Sequence, residues 1–440
     1  MKRLLIVSYW YPPLEAIGAV RVASFVRHLP GFGWEPFVVT VNPGRWTPEA
    51  GEPDADEDLS RVCRTPGMDI GRVLRLLSGG RLRGGLVTRG GCEKAGAWTL
   101  KGLGLWLYDR VLAFPDAAWP WCVLGRRRAL DFAGTVAPDA VLSSSPPFSS
   151  HVLASFLSAS LGVPWMADFR DPWSGNVWLG YKGGTLDAAR RFEARILTQA
   201  EALCTVSRPL ADALRESSGK DVSVVMNGFE PSEFKEPATL FPVLTFLYTG
   251  NVFPGKRDPS LLFETLRALL DEGRVKRGDL RFVFYGPNHD TILGLACRHG
   301  VEGLVECHAP VARRRALELQ KRAHVLLHLE WDDPRAKGFF SGKFYEYLGA
   351  GRPILAIGPK GGVIEAALRA TRAGRVVAAA SEIRSYLLDC VSDSRRGVIP
   401  AIAPDVGAVS EFTRERQAGL LAGQLEEMLR RHPEKQRPAA

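Results

Sequence analysis

Twice along this chain, short uninterrupted apolar runs alternate with stretches of helical spacing, and that pattern constrains the fold more than any other feature. In the first half the runs are Leu4–Ser8, Pro36–Val41, Ala140–Ser144, Val163–Asp168, Ala202–Ser207 and Val222–Met226. Between them, Val20–Leu29, Ser149–Leu161 and Thr185–Ala200 carry apolar residues at helical intervals. Apolar runs without polar alternation belong to strands buried on both faces, so the pattern predicts a parallel sheet covered by helices on either side. A second series follows at Leu244–Thr249, Leu280–Tyr285, Leu304–Cys307, His324–Leu329, Pro353–Ile357 and Arg375–Val377. With 440 residues there is room for two such cores. Pro231–Pro242, which holds three prolines, reads as the linker. The expected architecture is therefore α/β, with two doubly wound domains over 1–236 and 243–408. The first is expected to carry an insertion over about 45–128 that lacks clean strands. An amphipathic helix over 410–432, with Ser410 as its cap, is expected to complete it.

Apolar residues make up 46% and charged residues 24%, which places the chain among folded globular proteins. Its seven cysteines are odd in number and include no Cys-x-x-Cys pair, so neither a disulfide framework nor a zinc ribbon is expected. None of the eight histidines has metal-ligand spacing. Asp54-Ala55-Asp56 lies in a solvated acidic run, and no metal site is expected. Leu4–Val7 is too short for a signal-peptide core, and no stretch has the ~18 uninterrupted apolar residues of a membrane span. A cytoplasmic protein is expected.

The net charge of +9 is unevenly spread. Arg61–Arg110 holds ten basic residues against three acids, directly after six acids and no base in Glu49–Asp58. Such a patch meets nucleic acid, a phosphate-bearing ligand or an anionic membrane surface. It carries no helix-turn-helix, RNA-recognition or zinc-finger signature, so nucleic acid is not the expected partner.

Ligands of doubly wound sheets bind beyond the carboxyl ends of the strands, and the unusual clusters of this sequence fall there four times. After the first strand, Gly18 opens a helix and lets backbone N–H groups approach a phosphate, although an ordinary turn glycine fits equally. After the fourth comes Asp168-Phe169-Arg170-Asp171-Pro172-Trp173, which holds ionisable groups out from a strand end; an internal Arg–Asp bridge is the plainer reading for one aspartate. The second series begins with Gly250-Asn251, followed by Lys256-Arg257-Asp258-Pro259. Asp258 and Pro259 suit the N-cap and first position of a helix, so two cations sit ahead of its positive end and call for an anion. After His324–Leu329 comes Glu330-Trp331-Asp332-Asp333-Pro334, a loop, and then Gly338-Phe339-Phe340-Ser341-Gly342-Lys343-Phe344-Tyr345-Glu346. Here Ser341 and Gly342 open a helix, with Lys343 in its first turn and Glu346 three residues on. The plain alternative is a Lys343–Glu346 surface pair.

Together these clusters resemble the retaining glycosyltransferases of the GT-B fold, in particular the large family four. The likeness spans nearly the whole chain and is strongest over 250–353. Tyr345-Glu346-Tyr347-Leu348-Gly349-Ala350-Gly351-Arg352-Pro353 stands where that family has a glutamate, a small-residue segment and Gly-x-Pro. Val224-Val225-Met226-Asn227-Gly228-Phe229-Glu230 is similar to its Asn-Gly turn before the second domain. The Asp168–Trp173 cluster resembles a subgroup acting in surface-polysaccharide assembly. The resemblance implies two facing Rossmann-like domains with the active site in the cleft between them. It implies transfer of a sugar from a nucleoside diphosphate, of uridine or guanosine type, to a hydroxyl of a glycan, lipid-linked or small-molecule acceptor, with retention and without a tightly bound cofactor. Glu346 would bind the ribose and Lys256 the diphosphate. Gly18, Gly250, Asn251, Arg257, Ser341, Gly342 and Lys343 would complete the donor site, with Arg170 and Asp171 on the acceptor side. Two positions depart from the family: Gly338 replaces a glutamate eight residues before Glu346, and Asn251 replaces an arginine after the glycine. Lys343 is the substitute charge.

A GT-B-type sugar-nucleotide epimerase or a phosphorylase would share this architecture, and a basic nucleic-acid-binding protein would share the charge. The basic 61–114 region also contains an apolar, helix-length stretch over Trp98–Phe114, preceded by Arg72, Arg75, Arg81, Arg83 and Arg89. That composition suits peripheral docking on the anionic inner face of a membrane.

Overall fold

The computed structural model describes residues 1–14, 16–48, 58–77, 114–176, 181 and 183–432. The acidic run over 49–57 and residues 78–113, with Arg81, Arg83, Arg89 and Trp98, lie outside the described residues. The chain forms two compact units, Met1–Met226 with Gln417–Ala440, and Asn227–Arg416.

The first unit runs β1 (Lys2–Val7), α1 (Ile17–His28), β2 (Trp34–Val41), β3 (Val62–Thr65), α2 (Ile70–Leu77), α3 (Trp119–Val136), β4 (Ala140–Ser145), α4 (Ser149–Leu161), β5 (Trp165–Phe169), α5 (Gly184–Leu197), β6 (Ala202–Thr205), α6 (Arg208–Ser218) and β7 (Val222–Val224). The sheet is parallel with order β3-β2-β1-β4-β5-β6-β7. Residues alternate between its faces: Leu4 and Ile6 enter one core cluster, Leu5 and Val7 another. Both clusters exclude water, which explains why these strands read as continuous apolar runs. β3 is the exception to the expectation of a strandless insertion. As an edge strand it has one neighbour, β2, and alternates between buried and half-buried residues, so it lacks the apolar run that marks the central strands.

The second unit runs β8 (Leu244–Thr249), α7 (Ser260–Asp271), β9 (Leu280–Tyr285), α8 (His289–Arg298), β10 (Val305–His308), α9 (Arg313–Arg322), β11 (Val325–Leu329), α10 (Gly342–Ala350), β12 (Ile354–Ile357), α11 (Val363–Thr371), β13 (Gly374–Val377), α12 (Ala380–Arg395) and α13 (Val406–Ser410). Its parallel sheet has the order β10-β9-β8-β11-β12-β13. Counted within the unit this is 3-2-1-4-5-6, the order of dinucleotide-binding sheets, and the direction of winding reverses between β8 and β11. In the first unit it reverses between β1 and β4.

Three local expectations change. The expected tail helix is two helices, α13 and α14 (Arg414–Arg431), and Ser410 ends the first instead of capping the whole. The break arises because Phe412 accepts the Phe229 N–H and Thr413 bridges Phe229, which needs extended backbone. Beyond it, Ala418, Leu421 and Leu425 of α14 join the core beneath Leu4 and Ile6. Helix α7 starts at Ser260, one residue later than expected, with Asp258 accepting the Ser260 N–H at 3.0 Å. The proline-rich 231–242 stretch lies within the second unit and opens as a 3-10 turn, Pro231–Phe234. No helix among the described residues is long and apolar enough to cross a membrane.

Candidate functional site

In the first unit the loops after β1, β4 and β5 meet at the reversal point. Helix α1 begins with Ala16 at its N-cap, which offers no side-chain acceptor. Gly18 lies in the first turn, and a Cβ there would stand 2.0 Å from Nη1 of Arg170. The missing side chain is therefore the space in which the guanidinium rests. The Arg170 backbone N–H donates to Ser145 at 3.2 Å, Nη2 donates to the Pro146 carbonyl at 3.3 Å, and Nε lies 3.7 Å from the Asp171 carboxylate. Burial lowers the Arg170 pKa and raises that of Asp171, with each offsetting part of the other's shift.

The two aspartates of this loop part company. Asp168 is fully buried and takes Arg21 Nε at 2.9 Å and Nη2 at 2.8 Å, with Ser144 Oγ at 2.8 Å. Burial alone would raise its pKa, but the charge and hydrogen bonds of Arg21 outweigh that and hold it below the carboxylate range. Arg21 also donates to the carbonyls of Val225 and Met226, so this pair ties α1 to the ends of β5 and β7. The loop thus holds two pairs, a fully buried one between Asp168 and Arg21 and a looser one between Arg170 and Asp171, whose carboxylate stays 35% exposed. Sequence reasoning missed Arg21; its only signal was a cation between Val20 and Val22 on an otherwise apolar helix face.

In the second unit, β8 leads directly into Gly250, whose φ of +124° favours glycine. Its N–H donates to the Tyr285 carbonyl at 2.7 Å, and a Cβ on Gly286 would meet the Gly250 carbonyl at 2.2 Å. From the first turn of α10, behind the N-cap Ser341 and Gly342, Lys343 reaches back to this point. Its Nζ donates to Tyr248 Oη at 2.5 Å and lies 3.9 Å from that ring's centre. The Tyr248 hydroxyl in turn donates to the Asn251 carbonyl at 2.6 Å, while Asn251 itself is exposed. A Cβ on Gly250 would come within 3.0 Å of the ammonium. Burial, then repulsion from Arg257, bring the Lys343 pKa down to about 7 against the opposing pull of Glu346.

Near that ammonium lies Arg257, lowered chiefly by burial, and close to Arg257 in turn is Glu330, just past the end of β11, which burial raises to about 7. His328 Nε2 is 2.9 Å from Ser341 Oγ and its Nδ1 is 3.6 Å from Glu330. Burial, with Lys343 and Arg257 nearby, keeps its ring neutral. Lys256 Nζ stands 4.3 Å over the Trp331 ring. Glu346 does not use Lys343 as a hydrogen-bond partner. It accepts from Arg313 Nε at 3.1 Å and from Gln320 Nε2 at 3.2 Å. Arg313 and Gln320 were not legible in the sequence, since they lie on a different helix, although Glu330 was visible as an acid at a strand end. Among the described residues no cluster of three or more His, Cys, Asp or Glu is gathered to hold a metal ion.

Two parallel sheets, each with its unusual residues at the point where the winding reverses, define the fold as that of the GT-B glycosyltransferases. Solved structures agree over nearly the full length. Sucrose-phosphate synthase from Thermosynechococcus elongatus is 13% identical, with 98% of this chain and 100% of that chain covered and a TM-score of 0.59. Anabaena HepE, solved in complex with UDP, is 12% identical over 97% and 100%, with a TM-score of 0.61. The lipopolysaccharide outer core galactosyltransferase WaaB in its apo form is 13% identical over 97% and 99%, with a TM-score of 0.54. At these identities the likeness is one of fold. No curated protein matches the sequence. Residues 18–229 match the family model of the glycosyl transferase 4-like domain. Those residues, just under half of the chain, are similar to that family.

Proposed function

We propose that this protein is a glycosyltransferase that moves a sugar from a nucleoside-diphosphate sugar to an acceptor hydroxyl with retention, the donor being held by the second unit. The observation that carries this reading is the set of cations at the carboxyl ends of β8 and β11: Lys256, Arg257 and Lys343. Three cations gathered at one place attract a polyanion such as a diphosphate. HepE has been solved with UDP and with UDP-glucose, which supports a nucleotide-sugar donor.

When the bond between sugar and diphosphate breaks, negative charge develops on the departing phosphate oxygen, and cations already in place there lower the barrier. Lys256 and Lys343 serve that purpose, and Lys343 supplies the charge that Asn251 lacks. The acceptor oxygen bonds to the anomeric carbon on the face the phosphate leaves, and its proton passes to the departing phosphate. Ser341, Gly342 and the backbone around Gly250 and Asn251 line the phosphates, and Glu346 takes the ribose. Arg170 and Asp171 serve the acceptor side, with Gly18 leaving the space in which the Arg170 guanidinium rests. The acceptor class is a glycan or lipid-linked hydroxyl, and the basic, apolar composition of 61–114 suits one presented at an anionic membrane surface.

Thermal shift with a panel of nucleoside diphosphates tests donor binding, because a ligand of the folded state raises its stability by mass action. Lys256→Ala is expected to lower turnover by roughly 10²-fold or more. Wild-type turnover in that variant, or no shift with any nucleotide, would refute the donor site.

A further inference from the structure

Glu346 reaches the ribose, on the reading above, only if its carboxylate points the right way, and the structure shows what aims it. Arg313 Nε donates to Oε1 at 3.1 Å, while Nη1 and Nη2 of the same guanidinium grip Glu233 at 2.5 and 2.9 Å. Glu233 belongs to the 3-10 turn at the start of the proline-rich stretch, and Arg414 Nη1 lies 3.7 Å from its Oε2, the oxygen that Arg313 Nη2 also holds. Gln320 is fully buried and spends its amide on two acceptors, Thr249 Oγ1 at 3.0 Å and Glu346 Oε2 at 3.2 Å. Thr249 is the last residue of β8, so one end of this chain of bonds is fixed to the strand that leads into Gly250.

A carboxylate offers about four acceptor positions, two on each oxygen. Arg313 occupies one on Oε1 and Gln320 one on Oε2, which leaves one on each oxygen. Two acceptor positions side by side on a partly exposed carboxylate match the two hydroxyls of a vicinal diol. The guanidinium is planar and rigid, so holding Glu233 with one edge fixes the direction in which Nε presents itself to Glu346. We infer that Arg313, anchored by Glu233 and seconded by Gln320, is a positioning residue that sets Glu346 to receive the 2′,3′-diol of the donor nucleotide. The proline-rich stretch thereby acts as an anchor for the donor site.

The inference rests on the ribose role of Glu346, and the experiment separates the two. Calorimetry on the full chain measures the affinity for UDP and GDP, each as the ribonucleotide and as its 2′,3′-dideoxy form. The readout is the ratio of the two affinities, which a purely structural residue does not move. Glu346→Gln is expected to cut this preference for the diol at least about tenfold, since hydrogen bonds to a charged group each contribute on that scale. Arg313→Leu is expected to cut it by about tenfold as well, with Arg313→Lys recovering part. An unchanged preference in Glu346→Gln overturns the ribose role itself. A collapsed preference there, with a wild-type ratio in Arg313→Leu, overturns the positioning role alone, whatever the melting temperature does. If Arg313→Leu fails to fold, Arg313→Lys and Gln320→Leu decide the matter by the same ratio.

Discussion

If the Lys343 ammonium binds the donor diphosphate, donor affinity must depend on the proton it carries. In the free protein burial and Arg257 bring its pKa to about 7. A phosphate within ion-pair distance favours the charged form and moves the pKa back up. Binding therefore takes up a proton whenever the pH is above 7, and little below it. Above 7 the charged fraction of Lys343 falls about tenfold per pH unit, and affinity falls with it, at about 1.4 kcal/mol per unit. Glu330, also at about 7, acts in the same direction, because its ionised form repels the incoming anion. Two groups together give a limiting loss of up to about a hundredfold per pH unit. The nucleotide adds nothing to this slope, since a terminal phosphate with a second pKa of about 6 is already fully charged.

Titration of UDP and GDP by calorimetry at pH 6.5 to 9, in buffers of differing ionisation enthalpy, counts these protons directly. Lys343→Met should weaken binding at pH 7 and leave only the Glu330 contribution to the slope. Adding Glu330→Gln should flatten it. A dissociation constant that stays level from pH 7 to 9, without proton uptake, would falsify the assignment of Lys343 to the diphosphate.

Asp168→Asn removes half of a fully buried ion pair and should cost about 3–5 kcal/mol, seen as a lower denaturation midpoint, whereas Asp171→Asn should reduce turnover with little change in that midpoint. The reverse ranking would exchange their roles. Gly18→Ala places a Cβ 2.0 Å from Arg170 Nη1. Because the clashing atom ends a flexible side chain, melting should change little while the displaced guanidinium costs turnover about 10²-fold; wild-type turnover would show that Arg170 has no part in catalysis.

How far the sequence disclosed this protein depended on whether the determining contact was local. Central strands such as β1, β4 and β8 are buried on both faces, and their apolar runs announce it. β3 sits at an edge, and nothing in Val62–Thr65 distinguishes it from a loop. The loop after β5 was visible as a cluster of charge, but which aspartate was structural depended on Arg21, which is 147 residues away in sequence. Lys343 and Glu346 show the same limit from the other side. Their i, i+3 spacing suggested a pair, yet Tyr248 and Arg313, 95 residues before Lys343 and 33 before Glu346, claim their hydrogen bonds. Lys343 nonetheless betrayed itself, because a cation in the first turn of a helix works against the helix dipole and calls for a reason.

The two units meet one steric requirement in parallel ways. In each, a glycine follows the first strand, Gly18 in the first turn of α1 and Gly250 directly after β8, and a cation from beyond the reversal point rests against it: Arg170 at Gly18, Lys343 at Gly250. The topology accounts for this. Strands on either side of a reversal send their helices to opposite faces, which opens a gap at the carboxyl ends where neither helix covers the sheet. A cation reaching into that gap from the later loop must approach the backbone of the earlier one, and a Cβ at 2.0 or 3.0 Å would hold it off. Neither glycine binds anything through a side chain, and the sequence around Gly18 suits a place where backbone N–H groups approach a phosphate. The surroundings of the two glycines assign them a steric role, which is to let a protein cation occupy the same space that an anion of the substrate would seek. Charge and vacancy are thus built by different segments, and a substitution at either glycine should perturb the cation opposite before it perturbs the fold.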